Sequence, residues 1–264
     1  MKSSQTIILV LTMVFLAACS SLPALNAPFA EPTAAPAKIH WTYEGEEGPE
    51  HWGELDSAYS TCSNGTRQSP IDLSNATKAD LANIVFNYQP SEISILNNGH
   101  TVQVSYTAGG YIEVDGARYE VAQFHYHSPS EHTLNGESFP AEIHIVHKNS
   151  AGKLALVIGI LLTEGAENPA YQAFLDNLPS QPGPETKLNF PLTAADLLPA
   201  VQTTLRYSGS LTTPPCTEEI AWFVMTTPVE LSSAQLQHLE SVYNGNNRPV
   251  QPLNQRPLTE DSTP

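Results

Sequence analysis

The sequence is poor in positive charge. It has 11 lysines and arginines against 27 aspartates and glutamates, which gives a formal net charge of −16 at pH 7. An acidic surface of this kind argues against binding to nucleic acid or, by charge, to anionic lipid. Charged residues make up only 14% of the chain and prolines number 22. This composition excludes a protein of long solvated helices and predicts short strands joined by many turns.

The N-terminal apolar run is too short to cross a membrane. It covers Ile7–Ala18, follows Lys2, and has the length of a signal-peptide core. The run ends in Leu-Ala-Ala-Cys, which resembles a bacterial lipobox and predicts cleavage before Cys19 with lipid on that cysteine. An ordinary secretory signal, cut at a small residue further on, is the alternative. We expect an exported protein, periplasmic or at the cell surface, that is held to a membrane only through lipid on Cys19.

The chain divides into three predicted parts. Residues 1–18 form a signal peptide of lipoprotein type. Residues 19–37 contain four prolines and many alanines without a hydrophobic period, which predicts an extended tether. Residues 38–264 are numerous enough for one domain with a substantial core, and we expect the folded, functional domain there.

Cysteine is scarce, with three in the whole chain. If Cys19 carries lipid, Cys62 and Cys216 remain as a pair. An oxidising compartment outside the cytoplasm favours a disulfide between them. Two buried thiols are the alternative, and the even number left after Cys19 favours the disulfide.

Five of the nine histidines lie in Gln123–His147, a segment with the pattern of strand, turn and strand. Side chains of a strand alternate between its two faces, so His125 and His127 share one face of the first strand. The second strand, Ala141–His147, contains His144. If the two strands lie side by side, these three imidazoles converge. Three neutral nitrogen ligands with an open fourth position are typical of a catalytic zinc site.

The two residues that precede these histidines decide between a metal site and a simpler interpretation. A lone His-x-His on a strand is usually a polar face or a hydrogen-bonded core histidine. Here Gln123 lies two residues before His125, and Glu142 lies two residues before His144, each on the same face as its histidine. A ligand histidine normally donates its second N–H to such an amide or carboxylate. We therefore predict a zinc site.

Turn residues separate a series of short β-rich runs along the rest of the chain. The continuous apolar run Lys153–Leu162 predicts a buried strand. Two helices are predicted, one opened by Asn168 and Pro169 and one by a capping box of Ser232 and Gln235. The other predicted strands are Ile84–Tyr88, Ile93–Asn97, Thr101–Tyr106, Tyr111–Val114 and Arg118–Phe124.

The segments QFHYHSPSEH and AEIHIVH resemble the metal-binding core of the α-class carbonic anhydrases, and the resemblance covers nearly all of Trp41–Arg256. It implies a predominantly β (α+β) single domain, built on a twisted, mostly antiparallel sheet of about ten strands with short peripheral helices. It also implies one zinc ion per chain, with His125, His127 and His144 as ligands. The implied reaction is the reversible hydration of carbon dioxide to bicarbonate and a proton. The oligomeric state stays open, a homodimer included.

The resemblance assigns roles to further residues. His100, in the setting Asn-Gly-His, matches the proton shuttle, a role that suits an imidazole because its ordinary pKa is close to neutral. Thr212 matches the gatekeeper, whose hydroxyl accepts from the hydroxide at the zinc and donates to Glu131. Asn246 matches the residue that supports His127 through its backbone carbonyl. The residues that match the substrate pocket are Tyr43, Val146, Val157, Leu211, Thr213, Ile220 and Trp222.

Two other functions stay open at this point. One is an inactive binding protein on the same fold, as arises when a ligand histidine is replaced. The other is a zinc-binding surface lipoprotein whose histidines only hold metal. The first is disfavoured because all three ligand histidines are present. The second is disfavoured because a protein that only holds metal has no use for Thr212, Glu131 or His100.

Overall fold

The computed structural model of the protein describes residues 39–261. The predicted signal peptide, the tether and Cys19 lie outside the described residues. Within residues 39–261, no helix is long and apolar enough to span a bilayer.

Strands dominate the described part of the chain, and the helices are short. The strands are β1 (Thr77–Ala79), β2 (Val85–Tyr88), β3 (Ser91–Asn97), β4 (Val102–Tyr106), β5 (Gly110–Val114), β6 (Ala117–His127), β7 (Thr133–Leu134), β8 (Glu137–Ser138), β9 (Ala141–Lys148), β10 (Leu154–Glu164), β11 (Thr186–Leu192), β12 (Thr204–Ser210), β13 (Glu218–Met225), β14 (Val229–Leu231) and β15 (Thr259–Asp261). The α-helices are α1 (Trp52–Leu55), α2 (Thr61–Asn64), α3 (Pro169–Leu175) and α4 (Ser233–Val242). Single turns of tighter helix cover Gly45–Glu47, Ser57–Tyr59 and Ala194–Leu197.

One mixed sheet of 13 strands organises the described residues. Its order is β1-β15-β12-β13-β10-β9-β6-β4-β3-β11, with β14 beside β10, and with β5 between β6 and β2. Antiparallel pairs predominate, and the parallel pairs are β1–β15, β10–β13 and β10–β14. The predicted fold class is confirmed. The sheet has more strands than the ten or so expected because β1, β14 and β15 have three residues each, too few for an alternating pattern to be visible in sequence.

The predicted strands and both predicted helices are present, with small shifts at their ends. Asn168 caps α3, because its side chain accepts a hydrogen bond from the backbone N–H of Ala170 at 3.1 Å. Ser232 and Gln235 form the predicted capping box at the start of α4. The link between β6 and β9 was expected to be a turn, and it contains a small hairpin of its own, β7–β8.

The central strands β6 and β9 have two chemically different faces. One face places Phe124, Tyr126, Ile143 and Ile145 in the main hydrophobic cluster, where all four are fully buried. The opposite face carries the predicted ligand histidines, because successive side chains of a strand point to opposite sides. A shift of the register by one residue would move the histidines into the apolar core, so the core itself fixes the face on which they lie.

The predicted disulfide between Cys62 and Cys216 is confirmed. Both half-cystines are buried in a small cluster with Trp52. The bond joins residues 154 positions apart in sequence. It ties the segment that precedes the sheet to the loop between β12 and β13, which carries Thr212.

We expect the double variant Cys62→Ser, Cys216→Ser to lower the free energy of unfolding by about 2 to 5 kcal/mol, since the bond closes a long loop and restricts the unfolded chain. Urea unfolding of the oxidised wild type and of the variant, followed by tryptophan fluorescence, measures the difference. Wild type reduced with dithiothreitol is the matched control, and its urea midpoint should equal that of the variant. Equal midpoints for oxidised wild type and variant would show that the disulfide does not stabilise the fold.

Candidate metal centre and active site

The three predicted ligand histidines converge on one face of the central sheet. Strands β6 and β9 run antiparallel with His125 directly opposite His144. His127 lies two residues further along β6 and therefore on the same face. Each ring offers one nitrogen, and these nitrogens all lie within 4.8 Å of one another. The arrangement can hold a single ion from three directions.

Each of the three rings is fixed by a hydrogen bond from its other nitrogen. Nδ1 of His125 lies 2.9 Å from Oε1 of Gln123, and Nε2 of His144 lies 3.0 Å from Oε1 of Glu142. Nδ1 of His127 lies 2.6 Å from the backbone carbonyl of Asn246. All three acceptors require an N–H on the bonded nitrogen. The lone pairs are then on Nε2 of His125, Nε2 of His127 and Nδ1 of His144.

Nε2 of His127 tests whether a metal ion fits this site. It is buried and has no hydrogen-bond partner among the described residues. A buried polar atom without a partner is costly, and native structures contain few of them. A zinc ion accepts the lone pairs of three neutral imidazoles, and its binding here would give this atom its partner. The residues present therefore fit a zinc ion.

The surroundings keep the three imidazoles neutral, which is the form that binds a metal. Burial lowers the pKa of His127 to about 4, and the Asn246 carbonyl opposes this only in part. Burial also holds the pKa of His125 well below its usual value, with repulsion from the other two rings as a second cause. The pKa of His144 is lowered by burial too, against the opposing effect of Glu142.

Glu142 is a fully buried carboxylate with four hydrogen-bond donors. Its Oε1 accepts from Nε2 of His144 at 3.0 Å and from Nδ1 of His132 at 2.7 Å. Its Oε2 accepts from the backbone N–H groups of Glu131 at 3.0 Å and of His132 at 2.8 Å. Burial alone would raise the pKa of Glu142, but the two imidazoles outweigh it and hold the pKa well below its usual value. The residue is therefore ionised and positions the loop between the ligand strands as well as His144.

His132 is part of the site, although the sequence indicated only a polar turn at this position. The residue is completely buried. Its Nε2 lies 2.7 Å from the hydroxyl of Tyr207, which lies 2.8 Å from Oγ of Ser69. A hydrogen-bonded chain thus runs from His144 through Glu142 and His132 to strand β12. No periodic signal marks His132, because it lies in a loop and its partners are distant in sequence.

Glu131 lies against the metal-binding rings and is also fully buried. Its Oε2 is 3.5 Å from Nε2 of His127 and 3.8 Å from Nδ1 of His144. Its Oε1 accepts from the backbone N–H of Arg248 at 2.8 Å. Burial raises the pKa of Glu131 to about 7, while His144, the Arg248 N–H and the Thr212 hydroxyl lower it. Its Oε2 has no hydrogen-bond partner of standard geometry among the described residues.

A cavity of about 130 Å³ is lined by His100 and by two of the three predicted ligands, His125 and His127. His100 is half-buried, and its ring stacks on that of Trp41 with centroids 3.7 Å apart and planes 6° apart. Burial lowers the pKa of His100, and the charge of His40 lowers it further. The sequence did not indicate the stacking on Trp41. The cavity is lined by Trp41, Tyr43, Asn98, His100, Thr101, Gln103, Gln123, His125, His127 and Thr213.

The apolar residues predicted for the substrate pocket form an apolar wall beside His144. Val157 lies between Val146 and Trp222 across three neighbouring strands, β9, β10 and β13. The Trp222 ring lies 4.7 Å from that of His144. Ile220 belongs to the same buried cluster, and Leu211 packs against it. Tyr43 and Thr213 line the cavity instead, so the predicted pocket residues divide into an apolar and a polar group.

Comparisons with known proteins agree with this geometry. Residues 47–262 match the family model described as eukaryotic-type carbonic anhydrase. The chain is 41% identical to a carbonic anhydrase of Nostoc sp. over 245 residues, 89% of this chain and 92% of that protein. It is 40% identical to a carbonic anhydrase of Neisseria gonorrhoeae, over 95% and 96% of the two chains. The solved α-carbonic anhydrase of Thermovibrio ammonificans, in complex with the inhibitor sulfanilamide, is similar with a TM-score of 0.80 and 44% identity, over 84% of this chain and 99% of that one.

We expect Glu142→Gln to weaken zinc binding by about 10- to 100-fold, the usual cost of removing a group that orients a metal ligand. The glutamine amide nitrogen cannot accept a hydrogen bond, and each oxygen of Glu142 accepts two, so two of the four donors lose their acceptor. Competition with a chromophoric chelator measures the affinity. Glu120→Gln on the neighbouring strand β6 is the matched control, because Glu120 is exposed and paired with Arg118. If both variants bind zinc as the wild type does, Glu142 does not support the metal site.

Proposed function

The chain belongs to the eukaryotic-type, or α-class, carbonic anhydrase family, and we propose that it catalyses the reversible hydration of carbon dioxide with one zinc ion held by His125, His127 and His144. The observation that carries the proposal is the convergence of three neutral imidazoles, one of which presents a buried nitrogen that has no partner within residues 39–261. A zinc ion there supplies Lewis acidity that brings the pKa of a water molecule to about 7, a figure known for carbonic anhydrases as a class and not obtained from this structure.

Thr212 and Glu131 would orient the attacking oxygen. A zinc ion in the site would favour the ionised form of Glu131. An ionised carboxylate can only accept hydrogen bonds, so in that form Glu131 would direct the O–H of Thr212 towards itself. The Thr212 oxygen is then limited to accepting a hydrogen bond from the attacking oxygen, whose lone pair turns to the substrate. The backbone N–H of Arg248 holds the other carboxylate oxygen, at 2.8 Å. Without the hydrogen bond from Thr212 or the one from Arg248, the Glu131 carboxylate and the Thr212 hydroxyl would no longer be held in a fixed orientation.

The apolar wall would hold carbon dioxide beside the metal site. Carbon dioxide has no net charge and no hydrogen-bond donor, so a surface of hydrocarbon groups suits it better than a polar one. Val146, Val157 and Trp222 are buried and adjacent in register, and Leu211 packs beside them. Bicarbonate is charged and would leave this surface for water.

His100 would carry the proton from the site to solvent. It lines the same cavity as His125 and His127 and is half-buried, so one side of the ring is accessible to solvent. Its pKa lies below the ordinary value. An imidazole with such a pKa releases a proton readily to buffer at neutral pH.

Export and lipid attachment belong to the same proposal. The lipobox-like sequence before Cys19 and the tether at residues 19–37 support a catalytic domain anchored outside the cytoplasm. The disulfide between Cys62 and Cys216 supports an oxidising compartment such as the periplasm or the cell surface.

Stopped-flow carbon dioxide hydration, with the zinc content of the same sample, tests the proposed activity. We expect fast hydration with one zinc ion per chain, and loss of both in His144→Ala, because two imidazoles do not retain the metal. His238→Ala, an exposed histidine on α4, is the matched control and should behave as the wild type. Full zinc occupancy without hydration would contradict the enzyme and favour a protein that only binds zinc.

We expect His100→Ala to lower kcat about 10-fold or more while kcat/KM stays unchanged, since proton release follows the conversion of carbon dioxide. The initial-rate parameters at low buffer concentration measure this difference. Addition of imidazole should restore kcat, because a free base replaces the missing one. A parallel fall of kcat and kcat/KM would show that His100 supports the site structurally and does not carry the proton.

A further inference from the structure

A second cavity, of about 610 Å³, is separate from the candidate active site. Ala221 and Phe223 of β13 and Ser208 of β12 line it. Trp222 alternates with the two β13 residues, and its ring lies against His144, so the metal site is on the other face of the strand. Among the described residues, the walls of this cavity and of the one that contains the proposed shuttle share no member.

Arg67 supplies a cation with free donors at one end of this cavity. Its backbone N–H donates to Oε1 of Glu218 at 2.7 Å, and its Nη2 donates to Oγ of Ser208 at 2.5 Å, so the residue is held in place. Within residues 39–261, Nε and Nη1 of Arg67 donate no hydrogen bond. An exposed guanidinium with free N–H groups is a binding group for a carboxylate.

Arg206, at the other end of the cavity, already has its charge matched. Its Nη2 donates to Oδ2 of Asp261 at 2.7 Å, and its guanidinium lies 4.6 Å from the centroid of the Phe223 ring. Asp115, an exposed residue of the turn between β5 and β6, also lines this cavity. Burial lowers the pKa of Arg206, and the charges of Asp261 and Asp115 oppose this. Two carboxylates thus surround one guanidinium, which leaves negative charge for a cationic ligand.

The two charged ends lie close enough for one small molecule to reach both. Arg206 and Ser208, which holds Arg67, are two residues apart on β12, a distance of about 7 Å along a strand. Phe223 and Ala221 stand opposite these two residues on β13, so the surface between the ends is apolar. A short aliphatic chain fits this surface.

Glu219 adds another charged group at the end formed by Arg67. It is exposed, lines the cavity, and follows Glu218, whose side chain holds the Arg67 backbone. A carboxylate beside a guanidinium suits a ligand with an ammonium group beside its own carboxylate, which is the arrangement in a free α-amino acid. Since Asp115 and Glu219 together outnumber Arg67, a ligand of net positive charge is complementary to the cavity.

We propose that this cavity binds a free cationic amino acid such as lysine. Arg67 binds the carboxylate, Glu219 binds the α-ammonium group, and Asp115 binds the ammonium group at the end of the side chain. The methylene groups between them lie on Ala221 and Phe223. The formal net charge of the chain, −16 at pH 7, also attracts such a ligand. No step of the proposed hydration reaction uses this site.

An NMR titration of the zinc-loaded protein with L-lysine tests the site. We expect saturable shifts of the backbone amides of Asp115, Ala221 and Phe223, with a Kd on the order of 1 mM, because each exposed ion pair contributes little. L-Norleucine has the same carbon chain without the terminal ammonium group. It should bind about three- to tenfold more weakly, as expected for the loss of one charged contact.

Asp115→Asn removes the proposed partner of the side-chain ammonium group. Asparagine tolerates the left-handed conformation of this residue, whose φ is 52°. We expect lysine to bind about three- to tenfold more weakly and norleucine to bind as before. Glu113→Gln is the matched control, because Glu113 is exposed on the same hairpin but does not line the cavity. Arg67→Gln should weaken the binding of both amino acids by a similar factor.

Three results would overturn the proposal. The first is the absence of saturable shifts at lysine concentrations far above the expected Kd. The second is a set of shifts confined to the cavity of His100, which would place the amino acid beside the metal site instead. The third is an equal effect of Asp115→Asn and Glu113→Gln, which would show that only the net charge of the protein attracts lysine. These measurements require no turnover, so their outcome is independent of the proposed carbonic anhydrase activity.

Discussion

The geometry of the site depends on one buried charge, the carboxylate of Glu142. Removing an ion from water costs several kcal/mol unless its oxygens are fully hydrogen-bonded. Here each oxygen of Glu142 accepts hydrogen bonds from two N–H groups. One oxygen accepts from the side chains of His132 and His144, and the other accepts from the backbone N–H groups of Glu131 and His132. The cost of burial is therefore offset only when strand β9 and this loop take their observed positions. The same requirement fixes His144 and brings Glu131 against the metal-binding rings.

The sheet gives the site two chemical halves. Strands β4 and β6 supply Gln103 and Gln123 to the cavity, together with two of the histidines. Strands β9, β10 and β13 supply Val146, Val157 and Trp222, adjacent across the register. An apolar substrate needs apolar surroundings, whereas a proton moves through polar ones. A site at the boundary of these halves can therefore hold the substrate on one side and conduct the proton on the other. Strand order, rather than any single residue, produces this division.

The sequence predicted the parts of the site that depend on local periodicity. Alternation along a strand placed His125 and His127 on one face and assigned Gln123 to His125, because all these relations span two residues. The capping box of α4 was likewise predicted from residues three positions apart. Contacts between residues that are distant in sequence have no such periodic pattern and could not be predicted in this way. The hydrogen bond of His132 to Tyr207 spans 75 residues, and the stacking of Trp41 on His100 joins the N-terminal segment to a turn of the sheet.

The buried Arg248 links the segment around Cys62 to Glu131 in the candidate site. Its guanidinium donates to the carbonyls of Cys62 and Ser69 and to Oε1 of Gln68, at 2.8–2.9 Å. Burial lowers its pKa to about 10, against the attraction of Glu131, so it remains a cation at neutral pH. Neutral oxygens of the disulfide-bonded segment thus accept hydrogen bonds from the charged group. Since the backbone N–H of the same residue holds Glu131, the orientation of the gatekeeper pair depends on a segment near each end of the fold.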